Sequence, residues 1–182
     1  MKALSKSLRA MGMTLAFGAP ILSAQMPVQF GLGGGATIPS GSTNNGLKTG
    51  WHGMGLIQFK AASSPVGFQI DGAYQQLGFD GGDGKRQIID GTGDVLYEFQ
   101  ASPEMKFRPY LIGGSGVYNV KNKPDAGGSA SFTKFGLNAG AGFNIQASGV
   151  GLFVEGRFHN VFVPGSDFHF IPITAGIRFG GS

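Results

Sequence analysis

With no cysteine and only three histidines, the chain has few groups for covalent or metal chemistry. The densest grouping is His159, Ser166, Asp167 and His169, with Glu155 a little upstream. A hydroxyl nucleophile needs a histidine base within hydrogen-bond reach and a third group to orient that base. The residue types are present, but sharing one segment does not give that geometry, and polar loops have the same composition. No catalytic residue is assigned on this basis, and the chain is expected not to be an enzyme. His52 and the other two histidines show no metal-ligand spacing. Gly33-Gly34-Gly35 lacks the trailing Lys-Ser/Thr of a phosphate loop and falls in an extended run, so nucleotide binding is rejected. No cofactor is expected.

A larger ionisable set is spread along the chain: Lys60, Asp71, Asp90, Asp94, Glu98, Lys134, Glu155, Arg157 and Arg178. Its meaning depends on the elements that carry it. Side chains of an extended strand alternate between two faces, and alternating runs recur throughout the sequence. Val28, Phe30, Leu32, Ala36 and Ile38 oppose Gln29, Gly31, Gly33, Gly35 and Thr37. Trp51, Ile57 and Phe59 oppose His52, Gln58 and Lys60. Val66, Phe68, Ile70 and Tyr74 oppose Gln69, Asp71 and Gln75. Ile89, Val95, Tyr97 and Phe99 oppose Asp90, Asp94, Glu98 and Gln100. The run over 108–119 is less clear, with Tyr110, Ile112, Gly114, Gly116 and Tyr118 against Leu111, Gly113, Ser115 and Val117. The sixth has the sharpest contrast: Phe135, Leu137, Ala139, Ala141, Phe143 and Ile145 against Lys134, Gly136, Asn138, Gly140, Gly142, Asn144 and Gln146. Leu152, Val154 and Phe158 oppose Glu155, Arg157 and His159. Ile171, Ile173, Ala175, Ile177 and Phe179 oppose Pro172, Thr174, Gly176 and Arg178.

Eight such runs of about ten residues have the length a tilted strand needs to cross a bilayer. Long connections are expected near 39–49, 76–88, 120–131 and 161–168, and short ones near 61–65, 101–106 and 147–149. This alternation puts both termini on the short-turn side, as in outer-membrane barrels. Phe30, Trp51, Phe59, Phe68, Tyr74, Phe99, Tyr110, Tyr118, Phe158 and Phe179 lie near strand ends, where interfacial aromatic girdles sit. The phase assignment then sends every polar face, and with it the ionisable set, into an enclosed lumen.

The N-terminus agrees with export. Lys2, Lys6 and Arg9 precede an apolar run ending at Leu22-Ser23-Ala24, which reads as a signal peptide over 1–24, leaving a barrel over 25–182. Its removal takes three of the 14 basic residues, leaving 11 against 10 acids and a net charge of +1. The basic precursor is therefore no evidence for nucleic-acid binding, and none is expected. Glycine stands at 34 of 182 residues, well above the usual ~7%. A narrow barrel, whose bore is just wide enough for filled side chains, makes that composition useful. A soluble up-and-down barrel would place apolar residues inside and charge outside. Charged residues make up only 13% of the chain, against about 25% in soluble domains. The outer surface of such a soluble barrel would then be Gly, Asn and Gln, so lipid outside is the better reading.

Arg108-Pro109-Tyr110, Gly113-Gly114-Ser115-Gly116-Val117-Tyr118 and the ending Pro172-Ile173-Thr174-Ala175-Gly176-Ile177-Arg178-Phe179 resemble the small outer-membrane β-barrel domain family. This is the eight-stranded group that includes the barrels of outer-membrane proteins A and X. The resemblance implies an all-β, eight-stranded antiparallel up-and-down transmembrane barrel in a Gram-negative-type outer membrane. It also implies contact with outer-membrane lipid and with the barrel-assembly machinery, although Gly180-Gly181-Ser182 after the aromatic departs from the usual ending. Fold and location transfer with it; function does not. The expected role is structural or surface-interacting, in a monomer whose lumen is plugged by a salt-bridge network. A narrow charged conduit is the alternative, and lipid-modifying chemistry by the histidine grouping ranks behind it. Lys85-Arg86 and Lys121/Lys123, in the supposed outer loops, could contact anionic lipid headgroups or a partner, although such residues more often belong simply to solvated loops.

Overall fold

The alternation is long-range in its consequences: eight amphipathic strands can hide both their backbone and their polar faces only by closing on themselves. The computed structural model describes residues 27–41, 46–61, 63–99, 107–124, 127–147, 150–165 and 167–180. It contains β1 (Val28–Ser40), β2 (Gly50–Phe59), β3 (Val66–Gly78), β4 (Lys85–Glu98), β5 (Phe107–Lys123), β6 (Ala130–Ala147), β7 (Val150–Val161) and β8 (Phe168–Gly180). Each strand pairs antiparallel with the next, and β1 closes on β8, from Gln29↔Gly180 to Ser40↔His169. The expected signal peptide lies outside the described residues.

The faces follow the alternation. Leu32, Ile70, Ile89, Leu111 and Leu137 project outward and are about half exposed, while Gln58, Gln69, Asn138 and Glu155 are buried within. Aromatics ring both ends of the outer wall. Phe30 stacks on Phe179, and Phe107 meets Phe143 near the termini. Trp51 packs on Tyr74, Phe135 on Phe162 and Phe158 on His169 at the other end. Below, the two ends are called the terminal end and the loop end.

Two expectations need correction. Tyr110 and Tyr118 are not girdle residues, because both are buried in the bore. Each lies over an inward glycine of β6. A Cβ on Gly142 would come within 2.5 Å of the Tyr110 ring and hydroxyl, and one on Gly136 within 2.8 Å of Tyr118. Glycine here makes room for a ring. The expected contrast between long and short connections is also absent. The loop-end connections span only 41–49, 79–84, 124–129 and 162–167, against 60–65, 99–106 and 148–149 at the terminal end. Polar residues near the tips continue the ladder rather than ending it, through Gly78↔Lys85, Lys85↔Lys123 and Asn122↔Ala130. The wall therefore stands higher along β3–β6 than along β7, whose pairing with β6 stops at Gly136↔Val161.

Candidate functional site: a filled lumen

From the terminal end inward, the first layer is charged. Lys60 donates to Glu98 in a close ion pair, and Arg108 lies 3.7 Å from the same carboxylate. Asn144 Nδ2 donates to Glu98 Oε2 at 2.8 Å, and Arg178 Nη1 donates to Asn144 Oδ1 at 2.5 Å. These groups, with Gln29 and Gln58, border a cavity of about 350 Å³ that opens at this end. Arg178 has no carboxylate partner among the described residues. Its guanidinium lies 4.6 Å over the Phe153 ring and 5.4 Å over Tyr110, and it reaches Gln69 and the Tyr110 hydroxyl at 3.5 and 3.4 Å. Ring faces carry partial negative charge, so the two aromatics stand in for an acid.

The second layer centres on Arg157. Its Nη1 donates to Asp71 Oδ2 and Asp94 Oδ2, both at 3.0 Å, and its Nε donates to Glu155 Oε1 in a close pair. Three strands, β3, β4 and β7, thus meet at one guanidinium. Each carboxylate has a further donor: Gln69 Nε2 shares Asp71 Oδ2 with Arg157 at 2.9 Å, while Asn138 Nδ2 at 2.7 Å and the Tyr110 hydroxyl at 2.8 Å take the other oxygens of Asp94 and Glu155. Thr92 Oγ1 bridges Asp71 and Asp94 at 3.0 and 2.6 Å. Buried charges require such dense satisfaction, since desolvation otherwise outweighs pairing. The rigid planar fork of arginine suits it to several acceptors at once.

The third layer holds two histidines. His52 bridges Thr37 and Thr174 at 3.1 and 2.9 Å, and a chain continues from Thr37 Oγ1 to Gln75 and from Gln75 Nε2 to Asp90 Oδ2 at 2.8 Å. His159 meets the Tyr118 hydroxyl at 2.9 Å and stacks on Phe170, centroids 4.7 Å apart. A cavity of about 20 Å³, the space of roughly one water, lies among Asp90, Arg157 and the two histidines. Beyond it the bore turns apolar. Leu77, Ile88, Tyr118, Val120, Val161, Phe168 and Phe170 form a buried cluster, with Leu47, Phe132 and Val163 against it. Arg86 covers it, 4.8 Å above the Phe168 ring.

Of the nine expected lumen ionisables, Asp71, Asp90, Asp94, Glu155, Arg157 and Arg178 are buried in the bore, and Lys60 with Glu98 pairs at its mouth. Lys134 differs. It faces inward near the loop end, half-buried, and makes no ion pair among the described residues. The nine comprise five acids and four bases, and the mid-lumen alone carries four carboxyl groups against two guanidiniums. The apolar plug was missed altogether. Its signal was the pairing of Ile88 with Ile89 and the aromatic Phe168 beside Phe170, where alternation blurs because both faces are apolar.

The histidine grouping does not assemble. His159 points into the bore, whereas His169 stacks on Phe158 on the outer wall. Asp167 Oδ1 accepts from the Val163 amide at 3.4 Å, and Ser166 lies outside the described residues.

An apolar belt between aromatic girdles, a closed ladder and a polar, side-chain-filled bore together define a small transmembrane β-barrel. The comparisons place it further. The family model for the outer membrane protein beta-barrel domain matches residues 10–179, and the chain belongs to that family. No curated relative matches the sequence. Among solved structures, the chain is similar to Neisserial surface protein A, with TM-score 0.67 and 15% identity over 84% of this chain and 96% of that one. It is also similar to the attachment invasion locus protein of Yersinia pestis, with TM-score 0.54 and 16% identity over 85% and 99%. The outer membrane enzyme PagL gives TM-score 0.52 and 14% identity over 82% and 98%. At these identities the likenesses speak for the fold alone.

Proposed function

We propose that this chain is a non-conducting barrel of the bacterial outer membrane with a structural or surface-interaction role. Its terminal end faces the periplasm and its loop end the exterior. The observation that carries this reading is the bore itself: the Arg157 cluster fills its middle and the Tyr118–Phe170 cluster its loop end. The mature chain is a monomer, exported by the segment 1–24, delivered by the barrel-assembly machinery and surrounded thereafter by outer-membrane lipid. The lumen charges serve to hold the wall together, in place of a solvent-facing core. The test is conductance of the refolded protein in planar bilayers, where no stable channel is expected. Reproducible, ion-selective openings would overturn the reading.

The cavity of about 350 Å³ at the terminal mouth favours one second reading, a gated conduit with Arg157 as its bar. Under it, removing Arg157 leaves the fold intact and enlarges channel openings. Lipid-modifying activity has less support, because His159 and His169 lie on opposite faces of the wall.

A further inference from the structure

Above the loop-end girdle, the tall side of the wall carries three lysines on its outer face. Lys85 of β4 and Lys121 and Lys123 of β5 share strand parity with Ile89 and Val117, which are both more than half exposed. The register sets Gln87 opposite Lys121, and Lys85 directly opposite Lys123. Like charges facing each other across a ladder destabilise it, and none of the three lysines forms an ion pair among the described residues. Their outward neighbours on β3, β5 and β6 at this height are Gln76, Asn119, Ser131 and Thr133, all uncharged. In the adjoining turn, Asp80 is paired with Lys48 at 3.6 Å and Asp83 has a contact of its own. The wall therefore concentrates positive charge without supplying an anion.

Its height says which anion. One rung spans two residues, about 6–7 Å along a strand. Lys121 stands one rung beyond Asn119 and two beyond the lipid-facing Val117, and Lys85 two rungs beyond Ile89. Just beneath them runs a polar ledge, in which Asn119 Nδ2 donates to Thr133 Oγ1 at 2.9 Å and Gln87 Nε2 to the Tyr74 hydroxyl at 2.5 Å. A polar ledge directly above the exposed apolar Ile89 and Val117 suits the boundary where acyl chains end and headgroups begin. Lysine stems can lie along the wall while their ammonium groups reach for charge.

We propose that Lys85, Lys121 and Lys123 hold the phosphate groups of a phosphorylated lipid in the leaflet at the loop end, bridging the Lys85–Lys123 pair. The inference rests on the membrane orientation proposed above. Each lysine near an anionic surface is worth on the order of fivefold in partitioning, so three together are worth roughly 100-fold.

The test refolds the mature chain in micelles and titrates it with bisphosphorylated lipid A, reading bound lipid by native mass spectrometry. The expected result is a complex that survives detergent exchange. Its affinity should fall roughly 100-fold in Lys85→Gln/Lys121→Gln/Lys123→Gln and persist in the matching Lys→Arg triple. Lys48→Gln should change nothing. Undiminished binding by the Gln triple would overturn the proposal. So would equal binding of dephosphorylated lipid A, full competition by millimolar inorganic phosphate, or capture of acidic protein with no lipid retained. Failure of the membrane reading would show separately, as a chain that never acquires protease protection in phosphatidylcholine vesicles.

Discussion

Replacing Arg157 by Ala probes the lumen most directly. The guanidinium is almost fully buried and makes charge-assisted hydrogen bonds to Asp71, Asp94 and Glu155. Each such bond is worth about 1.5–3 kcal/mol. Taken singly they would sum too high, since the three acids repel one another and water enters the space left behind. Removing one partner of a buried pair typically costs about 3–5 kcal/mol, and with three carboxylates stranded the upper end, about 5 kcal/mol, is expected. For a urea slope of about 2 kcal/mol per molar, the unfolding midpoint in vesicles should fall by about 2 M or more. Restoring neutrality provides the counterpart. Arg157→Met combined with Asp71→Asn, Asp94→Asn and Glu155→Gln should recover stability to within about 2 kcal/mol of the native chain, as neutral replacements of buried ion clusters do. Both variants should remain silent in planar bilayers, because the plug at the loop end is untouched. If Arg157→Ala unfolds within about 0.5 M of the native midpoint, well inside the shift expected from that slope, the cluster is not what holds the bore together. If it also conducts, Arg157 is a gate.

Three further outcomes follow from the same geometry. Leu137→Arg, on the lipid face, should cost about 2–4 kcal/mol at mid-bilayer, whereas Asn138→Arg should disturb the Asp94 contact inside instead; a reversed pattern in urea titrations would put β6 in the wrong phase. Gly142→Ala should cost about 1–3 kcal/mol, because the added carbon meets Tyr110, and Tyr110→Phe in the same chain should not relieve it. Asp90→Asn should leave the urea midpoint unchanged or raise it, since Asp90 accepts from Gln75 and forms no ion pair among the described residues, while Asp94→Asn should lower it through Arg157.

How far the fold was readable depended on contrast between faces. In β6, Phe135 through Ile145 alternate with Gly, Asn and Lys, so strand, phase and inward Asn138 could all be read before any pairing was known. Asp71, Asp94, Glu155 and Arg157 were placed inward by the same logic. Their convergence was not legible, because it depends on stagger between strands, which no single strand encodes. The sequence offers Asp94 and Glu98 as acids for Arg157, and Lys134 and Arg178 as bases for Glu155, yet of these four only Asp94 is met among the described residues, by Arg157. Tyr110 and Tyr118 misled because a tyrosine near a strand end suits a girdle as well as a bore. The informative residues were across the ladder, Gly142 opposite Tyr110, with Gly136 near Tyr118. The loop-end strands were cut short because Lys121, Asn122 and Ser131 look like loop, whereas backbone pairing is indifferent to their polarity.

The glycines of β1 bear on how the cylinder can be sealed. If the first and last staves join after the intervening ones have paired, they close onto an interior that is already crowded. The inward side of β1 offers Gln29, Gly31, Gly33, Gly35 and Thr37, almost bare, while Phe153 and Thr174 already lean toward Gly33 from β7 and β8. Such an edge can slide into its berth sideways, with no ring or guanidinium having to swing past another. The twelve residue pairs between β1 and β8 can therefore form one after another from either rim, and the order in which the interior is laid down need not be undone to shut the door.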